Sequence, residues 1–204
     1  MTHCDTPRPE PVRVIGCGMI AREILAVTDQ LGFSHVDLKC LPAMWHHHPE
    51  KIAPGVDRAI EQAKAEGFEK IFVAYADCGT GGHLDNICEK HGVERIAGPH
   101  CFSFYLGNED FEQQSDDLIT CFFATDFLAR HFHTFLVKPL GLDRHPELRD
   151  MYFGNYTKLI YIAQTNDEQL TQNARDAAEF LGLEFEKRLA GYGDLTPALQ
   201  AAAQ

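Results

Sequence analysis

Ile71-Phe72-Val73-Ala74-Tyr75, running straight into Ala76-Asp77-Cys78-Gly79-Thr80-Gly81-Gly82, is the stretch that decides the fold. Consecutive apolar and aromatic residues rich in β-formers read as the clearest strand of the chain, and the glycine cluster reads as its exit turn. A short helix then carries Leu84, Ile87, Cys88 and His91 and stops at Gly92. Upstream, Val12-Arg13-Val14-Ile15 is a β-rich run ending in Gly16-Cys17-Gly18, followed by helical spacing through Ile20, Ile24, Val27 and Leu31 to Gly32. Residues 35–41 give a second strand, and Leu41 to Pro49 an unusual loop. Pro54 suits the first turn of the next helix, with Ala53, Val56, Ile60 and Ala63 on one face and Gly67 as its stop.

Downstream, a short strand at 93–97 leads to Gly98-Pro99-His100-Cys101, and the acidic segment Asn108 to Asp117 reads as exposed. A helix near 126–132 precedes the loop Gly141–Pro146, and Leu159–Ala163 is a further strand. Thr165 and Glu168 have capping-box spacing for a helix to Leu181, and 183–189 is a terminal strand. Strands alternating with helices predict a three-layer α/β fold with a mainly parallel open sheet, Rossmann-like in arrangement. The expected boundaries are a disordered lead at 1–11, one α/β domain at 12–195 and an alanine-rich C-terminal tail at 196–204.

The net charge of −12, with no offsetting Lys/Arg run, repels polyanions and argues against nucleic acid as a partner. No apolar stretch is long enough to span a membrane, and the polar, proline-rich start lacks a signal-peptide core, so a cytoplasmic location is expected. In that reducing compartment the 7 cysteines are thiols, metal ligands or catalytic groups, and their odd number excludes full pairing within one chain.

Ligands of open parallel sheets bind beyond the carboxyl ends of the strands. Cys17, Cys78 and the pair His100-Cys101 follow three separate predicted strands, and glycines flank Cys17 and Cys78. Thiolates bind soft or borderline metals strongly, and three protein ligands leave a coordination position for substrate. No CxxC or HExxH spacing supports this, so the argument is positional, and buried free cysteine is the plain alternative. That alternative suits Cys88, on an apolar helical face, and Cys121, within Ile119–Phe123; Cys4 falls in the lead and Cys40 stays open. Of His46, His47 and His48 at most one or two can face a single point, and a solvated loop is the rival reading. Asp77 either orients a ligand or acts as a general base, or it caps Thr80 and the following helix. Arg130, Arg144 and His145 are candidates for holding a carboxylate or phosphate of a small substrate, with surface ion pairing as the default.

A competing signal is Gly16-Cys17-Gly18-Met19-Ile20-Ala21, which matches the dinucleotide fingerprint between a strand and a helix and points to NAD(P). The expected acidic partner is missing from the end of the second strand, which reads Lys39-Cys40, with Asp37 inside it.

Several segments together resemble one bacterial and archaeal family catalogued as a domain of unknown function. They are Leu41-Pro42-Ala43 with His46 and Pro49–Ile52, Tyr75–Gly82, Gly98–Cys101, Gly141–Pro146 and Tyr152–Tyr156. The resemblance runs over about residues 12 to 195. It implies that Cys17, His46, Asp77, Cys78, His100 and Cys101 are motif positions; Gly16, Gly18, Gly79, Gly81 and Gly82 are read from the residues themselves as turns that let the backbone approach a cofactor. It also implies a setting beside corrinoid-dependent methyltransferases of methylamine and betaine metabolism, with a corrinoid protein or methyltransferase as partner.

The combined expectation is a metal-dependent enzyme of one-carbon metabolism. Cys17, Cys78 and Cys101, with His100 nearby, would hold zinc or a [4Fe-4S] cluster, and Asp77 and His46 would serve catalysis. The alternatives are an NAD(P) oxidoreductase and a non-enzymatic metal or corrinoid accessory protein.

Overall fold

The computed structural model describes residues 9–204; residues 1–8, which hold Cys4 and most of the expected lead, lie outside them. Where the sequence pattern suggests one domain, the described chain divides into two compact units. One runs up to Ala97 and takes in Thr196–Gln204, and the other is Gly98–Leu195.

The first unit is built on β1 (Val12–Cys17), α1 (Ala21–Gln30), β2 (Val36–Leu41), α2 (Ile52–Ala65), β3 (Lys70–Ala74), α3 (His83–His91) and β4 (Glu94–Arg95). Its sheet has the order β2-β1-β3-β4, and every pair is parallel. Alternation along β1 sends its side chains to opposite faces. Ile15 joins Leu41, Val73 and Tyr75 in a core closed by Ile52, Val56 and Ile60 of α2 and Leu84 and Cys88 of α3. Gly16 lies under α1, where an added methyl would meet Ile24 Cδ1 at 2.7 Å. Burying branched residues such as Ile15, Val56 and Val73 completely contributes roughly 1.5–3 kcal/mol each. Trp45, in the short helical turn Ala43–His47, packs so tightly on α2 that a Cβ at Gly55 would fall 2.1 Å from its ring.

The second unit contains α4 (Cys101–Leu106), α5 (Asn108–Gln113), α6 (Ser115–Leu118), β5 (Cys121–Thr125), α7 (Asp126–Phe132), α8 (Arg149–Phe153), β6 (Lys158–Ala163), α9 (Glu168–Leu181) and β7 (Glu184–Leu189). Its sheet is also parallel, in the order β5-β6-β7. The expected three-layer, mainly parallel α/β class therefore holds, realised as two parallel sheets flanked by helices rather than one.

Three local readings change. The acidic segment Asn108 to Asp117 is exposed but mostly helical. The cap of α9 is Asp167, whose Oδ1 accepts from the backbone N–H groups of Gln169 and Leu170, because the Thr165 hydroxyl is already bonded to Asp126. Residues 196–204 are the body of a helix, α10 (Leu195–Ala203), with Leu199 buried.

Candidate functional site

Cys17 ends β1 and caps the short helical turn that follows, its Sγ accepting from the Met19 N–H at 3.4 Å. Burial pushes its thiol up to about 11, and the Met19 N–H only partly offsets that. Register pairs Gly16 with Ala74, so Tyr75 continues β3 alongside Cys17.

Beyond Tyr75 the chain enters the glycine-rich turn, and Asp77 explains its shape. Asp77 Oδ1 accepts from Thr80 Oγ1 at 2.7 Å and the Gly82 N–H at 2.9 Å; Oδ2 accepts from the Gly79 and Gly81 N–H groups, each at 3.2 Å. Burial alone would raise the pKa of this carboxyl, but the bonds from Thr80, Gly82, Gly81 and Gly79 together hold it below the usual range. With two donors on each oxygen its acceptor capacity is filled, so taking up a proton would break the turn. The same bonds answer the expectation that Gly79, Gly81 and Gly82 cradle a cofactor: their N–H groups close on the chain's own carboxylate.

Held within this turn is Cys78, at φ +49°, the one non-glycine residue with positive φ among the described residues. A side chain in that region costs roughly 1 kcal/mol or more and persists only when the surroundings impose it. Cys17 and Cys78 both pack against the apolar core beneath Tyr75. The Tyr75 side chain is 2% exposed, and its hydroxyl is hydrogen-bonded to the Cys17 thiol, a weak acceptor. Burial raises the pKa of that phenol, and the thiols of Cys17, Cys78 and Cys40 push it the same way. A buried hydroxyl beside two cysteine thiols at adjacent strand ends is the centre of the candidate site.

A family model described as protein of unknown function (DUF1638) matches residues 40–199. The chain belongs to the DUF1638 family. The matched segment of this DUF1638 chain opens at Cys40 and includes Tyr75, Cys78, His100 and Cys101, whereas β1 and Cys17 precede it. No curated protein and no solved structure matches the chain.

Cys40 pairs in register with Gly16, which turns it to the face opposite Cys17, and it is exposed. His46 sits half-buried in the Ala43–His47 turn, edge-on to His47. In the second unit, His100 caps α4: its Nδ1 accepts from the Ser103 N–H at 3.2 Å, which leaves Nε2 as the N–H of the neutral ring. Burial lowers its pKa, which favours that neutral form. Cys101, in the first turn of α4, is buried.

The expected substrate-binding residues are engaged locally. Arg130 donates to the Asp126 carbonyl at 3.3 Å, Arg144 lies 3.7 Å from Asp143, and His145 Nδ1 is 3.1 Å from Glu147. The last two pairs are largely solvent-exposed, the surface arrangement that contributes little.

The space a pyrophosphate would need over Gly18 is filled: a Cβ there would stand 2.9 Å from the Leu41 carbonyl oxygen and 3.1 Å from the Ala43 nitrogen. Both fingerprint glycines are thus explained by packing. Asp37, the acidic residue nearest the expected ribose position, is paired with Arg13 at 2.8 Å.

Sequence reasoning passed over three features. Tyr75 counted only as the end of a strand, although a phenol closing the run Ile71-Phe72-Val73-Ala74 was a legible oddity. A cavity of about 620 Å³ opens beside the glycine turn, walled by Pro49, Pro54 and Ile87 with Thr80, His83 and Asn86 on its rim. Ligating atoms of Asp57, Glu61 and His91 lie within 4.8 Å of one another, but the Lys90 ammonium already sits 2.8 Å from Asp57 Oδ1. That cluster is an ion-pair network.

Proposed function

We propose that the first unit of this DUF1638 protein holds a thiophilic metal centre, with Cys17 and Cys78 as thiolate ligands. The observation that carries the reading is that two thiols at neighbouring strand ends lie beside one buried phenol, one of them held in a backbone conformation that cysteine seldom adopts. The pair of thiols fits zinc, which takes thiolate readily, whereas an iron–sulfur cluster needs more cysteines than this pair supplies. Bound there, zinc would supply Lewis-acid activation of a thiol or hydroxide.

The chain's own residues divide the remaining work. Cys17 gives up its proton to become a ligand, and Asp77 fixes the turn that presents Cys78. Tyr75 lines the site from the residue just after β3. A role in corrinoid-linked one-carbon or methylated-amine metabolism belongs to the same proposal and draws on the family resemblance.

Anaerobic purification followed by metal analysis and an absorption spectrum tests the reading. About one zinc per chain is expected, with loss in Cys17→Ser and Cys78→Ser. Folded protein that carries no zinc and takes up none on reconstitution overturns it.

A further inference from the structure

The cavity beside the glycine turn lies within the first unit, and its 620 Å³ falls inside the roughly 300–1,000 Å³ that small-molecule sites occupy. Pro49, Ala53, Pro54 and Ile87 give it an apolar wall suited to a hydrocarbon body. Its polar groups decide what that body carries. Glu50 and Asp57 are among the lining residues, and no lysine or arginine is. Asp57 is already paired with Lys90 at 2.8 Å and His91 at 2.6 Å. Glu50 is largely exposed, its contact with His48 Nδ1 is a long 3.4 Å, and its carboxylate is therefore open to a ligand.

An anion finds little to bind here. The Thr80 hydroxyl and the Gly79, Gly81 and Gly82 N–H groups are spent on Asp77, and the His83 N–H on the Thr80 carbonyl at 3.2 Å. Where a phosphate site offers open donors at a helix start, this turn encloses a carboxylate of its own. With the chain at −12 overall, the field at the cavity favours a positive ligand.

We infer that this cavity binds a small organic cation, a protonated amine on an aliphatic or alicyclic body, with its ammonium group toward Glu50 and its body against Pro54 and Ile87. His83 and Asn86 on the rim add hydrogen-bonding groups. The site uses neither thiol, so the inference stands apart from the metal reading. Because Gly79 lines the cavity, the bound cation lies against the turn that presents Cys78.

Cyclohexylammonium, cyclohexanecarboxylate and cyclohexanol share one body and differ in charge. Each is titrated into the isotope-labelled full chain as wild type, Glu50→Gln and Glu50→Lys. The backbone amide resonances of Gly79, Thr80 and Ile87 locate binding, and Trp45 fluorescence reports that the first unit is folded. Cyclohexylammonium should shift all three resonances and bind wild type about tenfold or more tightly than cyclohexanecarboxylate. Its affinity should fall as salt is raised, because the pair it makes is partly exposed. Glu50→Gln should weaken the cation, and Glu50→Lys should prefer the carboxylate. Wild-type protein that binds the carboxylate or the alcohol as tightly as the ammonium overturns the inference. Failure of all three to bind, or shifts confined to residues outside the cavity, overturns it too. Cation affinity unchanged in both Glu50 variants refutes the assigned contact and the charge argument with it.

Discussion

The same edit at two buried tyrosines should change stability in opposite directions. Tyr75→Phe removes a buried hydroxyl whose partner is the Cys17 thiol, a weak acceptor, and a buried hydroxyl left poorly satisfied costs roughly 1–3 kcal/mol. Because neighbouring thiols offer it weak contact, a gain of about 1 kcal/mol is expected, at the low end of that range. Tyr161→Phe instead deletes a 2.6 Å bond to a carboxylate that keeps its other donors, Gln164 N–H, Thr165 N–H and Thr165 Oγ1. Hydrogen bonds to charged groups contribute roughly 1.5–3 kcal/mol. At about 2–4 °C per kcal/mol for a chain of this length, Tyr75→Phe should raise the melting temperature by about 2–4 °C and Tyr161→Phe lower it by about 3–12 °C. Trp45, the single tryptophan, lies in the first unit and follows its melt, and far-UV circular dichroism follows both units. A drop of more than about 2 °C in Tyr75→Phe would show that the hydroxyl is well satisfied by its thiol neighbour, and the reasoning would fail.

Gly18→Ala should lose roughly 1–3 kcal/mol in urea unfolding, since its Cβ would press on the Leu41 carbonyl 2.9 Å away and backbone cannot step aside cheaply. Fluorescence titration of the wild-type protein should show no NADH binding tighter than about 1 mM; micromolar binding would revive the dinucleotide reading. Cys88→Ser should retain metal and lose about 1 kcal/mol, because it places a hydroxyl in the core beneath α3; loss of metal would mean the cysteine roles are misassigned. The Lys158 and Arg188 partners hold Glu186 below the usual carboxylate range, so its contribution to stability is present above the unfolded pKa and lost as pH falls through the folded one. Glu186→Gln should therefore flatten the acid limb of the stability curve between about pH 5 and 3, and an unchanged limb would show that these pairs contribute nothing.

The parts of this fold that were legible are those where local chemistry decides. β1, β3 and β6 are apolar runs bounded by turn residues, and Gly92, expected to stop α3, does so at φ +65°. The strand-end positions of Cys17 and Cys78 followed from the same punctuation. What stayed hidden depends on partners distant in sequence. Thr165 has capping-box spacing, but its hydroxyl is claimed by Asp126, 39 residues away, so the cap passes to Asp167. Asp77 was legible as a candidate but not as a spent one, because its filled lone pairs exist only once the turn has closed. Tyr75 was legible as an oddity, but its burial beside the thiols is a property of three dimensions. The division at Ala97 and Gly98 carries no linker signature, because the chain passes between units through an ordinary glycine turn.

The return of residues 196–204 to the first unit has a consequence for how the chain is made. Ala203 O meets His35 Nε2 at 2.9 Å, and Lys70 reaches Gln204 O at 3.4 Å, so the first unit is closed by α10. During synthesis the sheet bearing Cys17 and Cys78 is complete long before that helix leaves the ribosome. Until then the body that carries these thiols is unfinished. Closing contacts this remote in sequence form slowly, so the first unit is completed only after the chain of the second has emerged.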